Sequence, residues 1–567
     1  MSKSKLEILK DTGEAPSWYT EESFQTVDSG YLLQDETPRS MYRRVARAAA
    51  VNLNEPHLEQ EFFEAMWNNW LCPASPVLSN SGTNRGLTIS CYGVDTPDSV
   101  DGIYKSIHEM ALLTKGGGGV GVSLNRIRAR GEAIKGGANG KSEGMIAWAK
   151  VFDSAIIATS QGSVRRGAAS INLSIEHKDF EEFLNMRRPQ GDVNRQCLNL
   201  HHCAVVSDSF MMSIEKGNKE NRKKWVELLK SRLESGEPYI MFGDTVNKSN
   251  PQAYKQNGLE VSMTNICSEI TLFTDEDHSF ICCLSSLNLV KWDEWKDTGL
   301  VKLSIRFLNG VLNEFINRAK YLPGFKKVIA SATKGRALGL GVLGWHTLLQ
   351  EKLLPFDSFQ TMMLNAEIFK KIHEDSIESS KELAQLYGEP EWCVGTGMYN
   401  THLVAVAPTR SNSIISGDVS AGIEPIIANA YVDKTAKGVF IRKNKALSVV
   451  LGRYNKDTDD VWKLIESNNG SVQNLKFLSD NEKEVFKTAY EISQKALIRQ
   501  AGQRQPFVDQ AQSLNLFFPA DADPKWFHDV HMEAWKAGVK TLYYCRSSSV
   551  IKGDVASRGD DCKSCEA

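Results

Sequence analysis

Along residues 1–74 the apolar positions fall at helical intervals. Phe62, Phe63, Met66, Trp67 and Trp70 mark one face before Pro73 and Pro76 break the period. From 75 to 545 short apolar runs alternate with longer 3.6-period stretches, the pattern of an α/β chain. Tyr239-Ile240-Met241-Phe242 reads as a strand closed by Gly243-Asp244, and 338–344 as a glycine-punctuated strand. A helix is predicted through Phe307, Leu308, Val311, Leu312, Phe315 and Ile316. Beyond Cys545 large apolar residues become scarce and Ser, Gly and Asp dominate, so 546–567 is expected to be a mobile tail. The predicted organisation is a mostly helical region 1–74, an α/β body 75–545 and the tail 546–567.

The densest chemistry lies in Asn265-Ile266-Cys267-Ser268-Glu269. In an extended backbone alternate side chains point the same way, so an amide, a thiol and a carboxylate would meet one small site. Cys91 stands far upstream and Cys282 shortly downstream. The pair Tyr543-Tyr544 comes near the end, and Cys562 and Cys565 almost at the terminus. Adjacent residues of a regular strand face opposite sides, so stacked tyrosines at 543 and 544 require an irregular backbone there.

Composition narrows the class. Lys+Arg 67 against Asp+Glu 69 leaves no charge bias toward nucleic acid or a membrane surface. No run of eighteen apolar residues occurs, and the N-terminus lacks a signal-peptide core. Eleven scattered cysteines in such a chain suggest reduced thiols in a cytoplasmic enzyme rather than a disulfide framework. Two metal-like or phosphate-like motifs are set aside. Gly136 to Ser142 fails P-loop spacing, and His201-His202-Cys203 would splay its side chains on a strand. No metal ligand set is expected.

This ordered set resembles the large catalytic subunit of a class I ribonucleotide reductase. Further similar segments are Ser75-Pro76-Val77-Leu78, Ser160 to Ala168, Arg336-Ala337-Leu338-Gly339, Ala407-Pro408-Thr409, Gly422-Ile423-Glu424-Pro425 and Asp509 to Asn515. The resemblance spans nearly the whole chain. It implies a ten-stranded α/β barrel of two five-stranded halves, with a cysteine-bearing loop threaded through it. It also implies that Cys267 carries a thiyl radical, that Glu269 is the general base and that Asn265 holds the substrate hydroxyl. Cys91 and Cys282 resemble the reducing pair. Cys282 is preferred to Cys283 because Cys282-Cys283-Leu284-Ser285 fits the family's Cys-x-Leu-Ser. No role is implied for Cys283 or Cys545.

By the same resemblance Tyr543 and Tyr544 end a radical relay from a separate small subunit that holds the radical metallocofactor; this chain keeps no permanent cofactor. Cys562 and Cys565 look like shuttle thiols served by thioredoxin or glutaredoxin. Half a zinc site is the rival reading, but the tail offers no histidine and no third cysteine. Ser75, Ser90, Thr409, Arg410, Ser411, Asn412 and Ser413 match the substrate diphosphate site, with Arg410 and Asn412 departing from the commoner residues. Asp98, Arg128 and Lys135 match a dNTP or ATP effector site at a homodimer interface, and 191–199 matches the loop linking it to substrate. The short N-terminal region implies a compact form without an ATP cone, reminiscent of viral enzymes and then placed in host cytoplasm. The alternatives are an adenosylcobalamin-dependent reductase and an inactive regulatory subunit.

Overall fold

The computed structural model describes residues 3–134, 140–159, 167–435 and 438–547, with side chains described outside 432–442. The N-terminal region forms helices Lys5–Asp11, Glu21–Asp28, Pro38–Leu53 and Glu59–Trp67. Thr37 caps the third, Pro38 occupies its first turn, and Asn54 ends it in the left-handed conformation. Its buried face, Met41, Val45, Ala46, Ala49 and Leu53, lies along the helix Leu300–Ala319. The two backbones meet at Gly310, where a Cβ would stand 2.2 Å from the Ala49 carbonyl oxygen. The expected helix stops at Trp67, so Trp70 lies beyond it, and the chain passes straight into a short strand, β1 Leu71–Pro73.

Strands β2 Cys91–Asp95, β3 Gly119–Ser123, β4 Ala168–Ser174, β5 Leu200–Val206 and β6 Tyr239–Phe242 follow, parallel and in sequential order. Their near-continuous burial is what a parallel sheet covered on both faces requires. Next, β7 Phe280–Asn288 runs antiparallel to β2, and β8 Leu338–Leu343 runs parallel to β7. β1 pairs antiparallel with β7. At the far edge, Thr541–Leu542 pairs antiparallel with β6.

Hydrogen bonds carry the sheet round from β8 to that far edge. Leu338 N–H donates to His402 (2.9 Å), Val406 N–H to Ala511 (3.0 Å), Ser513 N–H to Val406 (2.9 Å) and Tyr543 N–H to Leu514 (2.9 Å). The segments 402–406 and 510–514 make bridges here rather than regular strands. The reason is that several of their donors are diverted. Leu403 and Val404 N–H groups bond the Asp509 carboxylate, and Ala511 N–H bonds the Glu269 carbonyl. Among the described residues the sheet therefore holds nine regular strands rather than the ten expected. A hairpin of Ala430–Thr435 and Gly438–Lys443 leads into a second small core around Leu447, Trp462, Val472 and Phe486.

Candidate active site

Residues 261–271 leave the region after β6 as an irregular loop and pass through the interior of the curved sheet. On one side Asn172, a polar residue in the apolar β4, clamps Thr264. Its amide donates to the Thr264 carbonyl and accepts the Thr264 N–H, each at 3.1 Å. Gly121 of β3 leaves the space for this, since a Cβ there would lie 2.2 Å from the same carbonyl oxygen. On the other side Ser513 donates to the Cys267 carbonyl at 2.6 Å, and the Gln510 side chain accepts Thr271 N–H at 3.3 Å.

Between these anchors the chain makes a tight turn rather than the extended run that alternation suggested. Ser268 N–H donates back to the Asn265 carbonyl (3.2 Å), and Ser268 has φ +67°. Asn265 closes the base, its side-chain oxygen accepting Ile270 N–H at 3.0 Å. Asn265, Cys267 and Glu269 share a site because a turn folds them together, and all three are buried. Among the described residues, the Asn265 amide nitrogen and Glu269 Oε1 are buried without a hydrogen-bond partner. A donor and an acceptor left so are costly unless a ligand satisfies them.

Cys91 opens β2 and stands directly opposite Cys282 of β7. Directly opposed residues in antiparallel strands hold their Cα atoms about 4.5–5.5 Å apart, within disulfide reach. Burial, then the neighbouring Cys91 and Glu269, push the Cys282 thiol well above its ordinary pKa, opposed by the Gln510 amide 3.9 Å away. It therefore stays protonated. Glu269 is pushed up to about 8 by burial first and Cys91 second, against the nearby Asn265 and Ser513. Cys283 points elsewhere, toward the Leu308 carbonyl of the helix outside.

The strand does break at Tyr543 and Tyr544. Their rings lie 4.4 Å apart between centroids, tilted by 56°. Tyr239 of β6, which sequence reasoning passed over, packs against both at 4.7 and 5.0 Å. Tyr544 N–H donates to Asn515, whose amide also bonds Glu424. Burial pushes Glu424 up to about 7 against Arg546, Asn515 and Arg410. His201, 3.4 Å from the Tyr544 hydroxyl, pairs with Glu237 at 2.6 Å, and His202 pairs with the same carboxylate at 2.9 Å. Burial would raise Glu237, but Arg187 and His201 outweigh it and hold the carboxyl well below its usual range.

The predicted diphosphate residues gather only in part. Ser75 donates to Asn412 (3.3 Å) and accepts from Tyr31, a residue the sequence gave no reason to single out. Asn412 in turn donates to Pro73. The Thr409 hydroxyl accepts Gly422 N–H at 2.7 Å and lies 3.0 Å from that of Ser413, so these two already brace the loop. Ser411 is buried beside them, and Ser90 precedes Cys91. Arg410 is exposed and lines a cleft of about 610 Å³ together with Glu424, Tyr543 and Tyr544. In the predicted effector region Asp98 accepts from Arg128 Nε at 2.9 Å. Lys135, Cys562, Cys565 and most of 160–168 lie outside the described residues. The loop 191–199 is pinned where Asn199 N–H meets Asp153 at 2.8 Å.

The family model "Ribonucleotide reductase, barrel domain" matches residues 89–225, 219–392 and 391–545, and "Ribonucleotide reductase, all-alpha domain" matches 17–86. The ribonucleoside-diphosphate reductase large subunit of Invertebrate iridescent virus 3 is 34% identical, over 94% of this chain and 94% of its own. That of Danio rerio is 29% identical, over 92% and 75%. The Actinobacillus ureae class Id ribonucleotide reductase alpha subunit superposes with a TM-score of 0.87 at 37% identity, covering 95% of this chain and 99% of that one.

Proposed function

The chain belongs to the ribonucleotide reductase family as a large subunit, and from that premise we propose that it reduces ribonucleoside diphosphates to 2′-deoxyribonucleoside diphosphates. A thiyl radical on Cys267 takes the hydrogen atom from C3′ while Glu269 takes the 3′-hydroxyl proton and the Asn265 amide holds that hydroxyl. The 2′-hydroxyl leaves as water with a proton from the Cys91–Cys282 pair. Two electrons from the pair reduce the sugar, the pair becomes a disulfide, and Cys267 returns hydrogen to C3′. The carrying observation is the opposed pair Cys91 and Cys282 beside a turn that leaves the Asn265 amide nitrogen and Glu269 Oε1 buried without partners among the described residues.

The closely packed rings of Tyr543 and Tyr544 support a radical arriving from a separate small subunit, which would hold the metallocofactor. Cys562 and Cys565 would return electrons from thioredoxin or glutaredoxin to the active-site disulfide. Ser75, Ser90 and 409–413 would receive the diphosphate. Helices Val100–Lys115 and Met145–Thr159 pack together and expose Val100, Tyr104 and Ile157, an apolar face suited to a second copy of this chain. Asp98 and Arg128, which pair with each other, would take the effector nucleotide together with Lys135. No helix among the described residues is long and apolar enough to cross a membrane; a cytoplasmic site of action, host cytoplasm for a viral chain, fits the chemistry. The test is CDP reduction by the chain alone, with adenosylcobalamin, and with a radical-generating small subunit. Deoxycytidine diphosphate is expected only with the subunit. Product with adenosylcobalamin would replace the partner, and none in any arm would leave a regulatory subunit.

A further inference from the structure

The relay tyrosines sit where the sheet's own hydrogen bonding gives out. The ladder between β6 and Thr541–Leu542 pairs Leu542 with Ile240 and ends there. The next rung in that register would set Tyr543 opposite Tyr239. A side chain occupies its place. Arg232, from the helix Lys219–Ser235, donates from Nη2 to the Tyr543 carbonyl at 3.0 Å and from Nη1 to the Pro238 carbonyl. Its Nε donates to His531 Nε2 at 3.1 Å. The tautomer follows from geometry, because His531 Nδ1 lies 2.8 Å from the Phe527 carbonyl and must carry the hydrogen there. Burial and Arg232 itself hold His531 well below its ordinary pKa, so Nε2 keeps the lone pair that the guanidinium needs.

Arg232 is fully buried, and among the described residues it forms no ion pair. Burial of an unpaired guanidinium is costly. What it supplies in return is geometric. One rigid fork spans two backbones, gripping the carbonyl before Tyr239 and the carbonyl of Tyr543. At that level three rings meet with centroids 4.4, 4.7 and 5.0 Å apart. The other backbone groups of the irregular stretch are satisfied separately. Tyr543 N–H bonds Leu514, Tyr544 N–H bonds Asn515, and the Tyr544 carbonyl accepts Leu516 N–H.

We propose that Arg232 is a positioning residue of the radical relay: its guanidinium, steadied by His531, sets the spacing of β6 and the broken strand so that Tyr239, Tyr543 and Tyr544 stay in contact. This rests on the reading of Tyr543 and Tyr544 as the relay. The hydrogen bonds of Arg232 go to His531, Pro238 and Tyr543 and to none of the proposed nucleotide-binding residues, so its loss should damage radical transfer and leave nucleotide binding alone.

Full-length Arg232→Met, Arg232→Lys and Tyr543→Phe are assayed beside the unmodified chain with a radical-generating small subunit. Readouts are kcat, KM for CDP and nucleotide Kd. Radical yield is read by electron paramagnetic resonance with 3-aminotyrosine at position 543. Arg232→Met should lose about 100-fold in kcat, the cost of roughly an ångström of misplacement, with KM and Kd unchanged and less radical trapped. Arg232→Lys, which reaches one carbonyl but not both, should recover part of the rate, and it carries the test if Arg232→Met does not fold. A dead Tyr543→Phe beside normal Arg232 variants overturns this assignment alone. So does a parallel fall in kcat and nucleotide binding, which marks a merely structural arginine. Normal turnover by Tyr543→Phe overturns the relay reading, and this assignment with it.

Discussion

Cys91 and Cys282 are cross-strand partners: the first residue of β2 faces the third of β7 at the seam where the parallel half of the sheet meets its antiparallel neighbour. Cys283, one residue on, necessarily turns to the other face and meets the Leu308 carbonyl. The structure thus separates two adjacent thiols that a pattern match could only rank. One turnover by prereduced protein without external reductant should consume two thiols per site, and peptide mapping should find Cys91 joined to Cys282. Cys282→Ser should abolish cycling, whereas Cys283→Ala should keep it with a modest loss of stability. Active Cys282→Ser with inactive Cys283→Ala would reverse the assignment.

The loop that presents Cys267 depends on groups far away in sequence. Asn172→Ala strips both hydrogen bonds from Thr264 and leaves two buried backbone groups unsatisfied, each worth about 1–3 kcal/mol. Ser513→Ala removes the donor to the Cys267 carbonyl. Both variants should fold, with a lowered Tm for Asn172→Ala, and both should lose kcat more than substrate affinity. Cys267→Ser should lose all turnover, because an alcohol O–H is too strong to break in this exchange. Deoxynucleotide formed by pure Cys267→Ser would falsify the radical assignment.

How far the sequence carried can be judged from these same residues. The α/β character, the helix Leu300–Ala319, the strand Tyr239–Phe242 and the thiol, amide and carboxylate set were legible, because each is written locally. The turn at Ser268 was not: alternation implied an extended run, and no glycine or proline marked the left-handed residue. The anchors were hidden for a different reason. Gln510 and Thr271 are 239 residues apart, and such pairs exist only once the sheet closes. Two faint signals were available: an asparagine inside the apolar run of β4, and the recognised segment from Asp509 to Asn515, which contains Gln510 and Ser513. Arg232 had none, being an ordinary basic residue on an amphipathic helix.

Tyr543 and Tyr544 differ in setting, the first fully buried and the second half-buried at the cleft. Tyr543→Phe and Tyr544→Phe should each bind CDP normally and fail to turn over with the small subunit, since phenylalanine is not oxidised at accessible potential. Tyr239→Phe keeps the ring that spaces the stack and should retain most activity. Near-normal rates in both of these variants would reduce the pair to packing. A dead Tyr239→Phe would make the third ring a carrier too.

The pH dependence follows from Glu269, whose carboxyl is pushed up to about 8 by burial and by Cys91. Unfolded, it would titrate near the ordinary glutamate value of about 4.3. Between those two values the folded protein holds a proton that the unfolded chain has released. Stability must therefore fall as pH rises through this window. At about 1.4 kcal/mol per unit the loss amounts to several kcal/mol by pH 9, as an order of magnitude. Activity runs the other way, because only the carboxylate can take the 3′-hydroxyl proton. kcat/KM, which reports the free enzyme, should climb from pH 6.5 to an inflection near 8. Glu269→Gln should lose that limb and about 10²–10⁴ in rate, and should be more stable than the unmodified chain at pH 9. Rate profiles and Tm at pH 6 and 9, for both proteins, check the two halves together. A flat or falling limb in the unmodified chain would reject Glu269 as the base, and an unchanged stability difference between the two pH values would mean that its pKa is not raised.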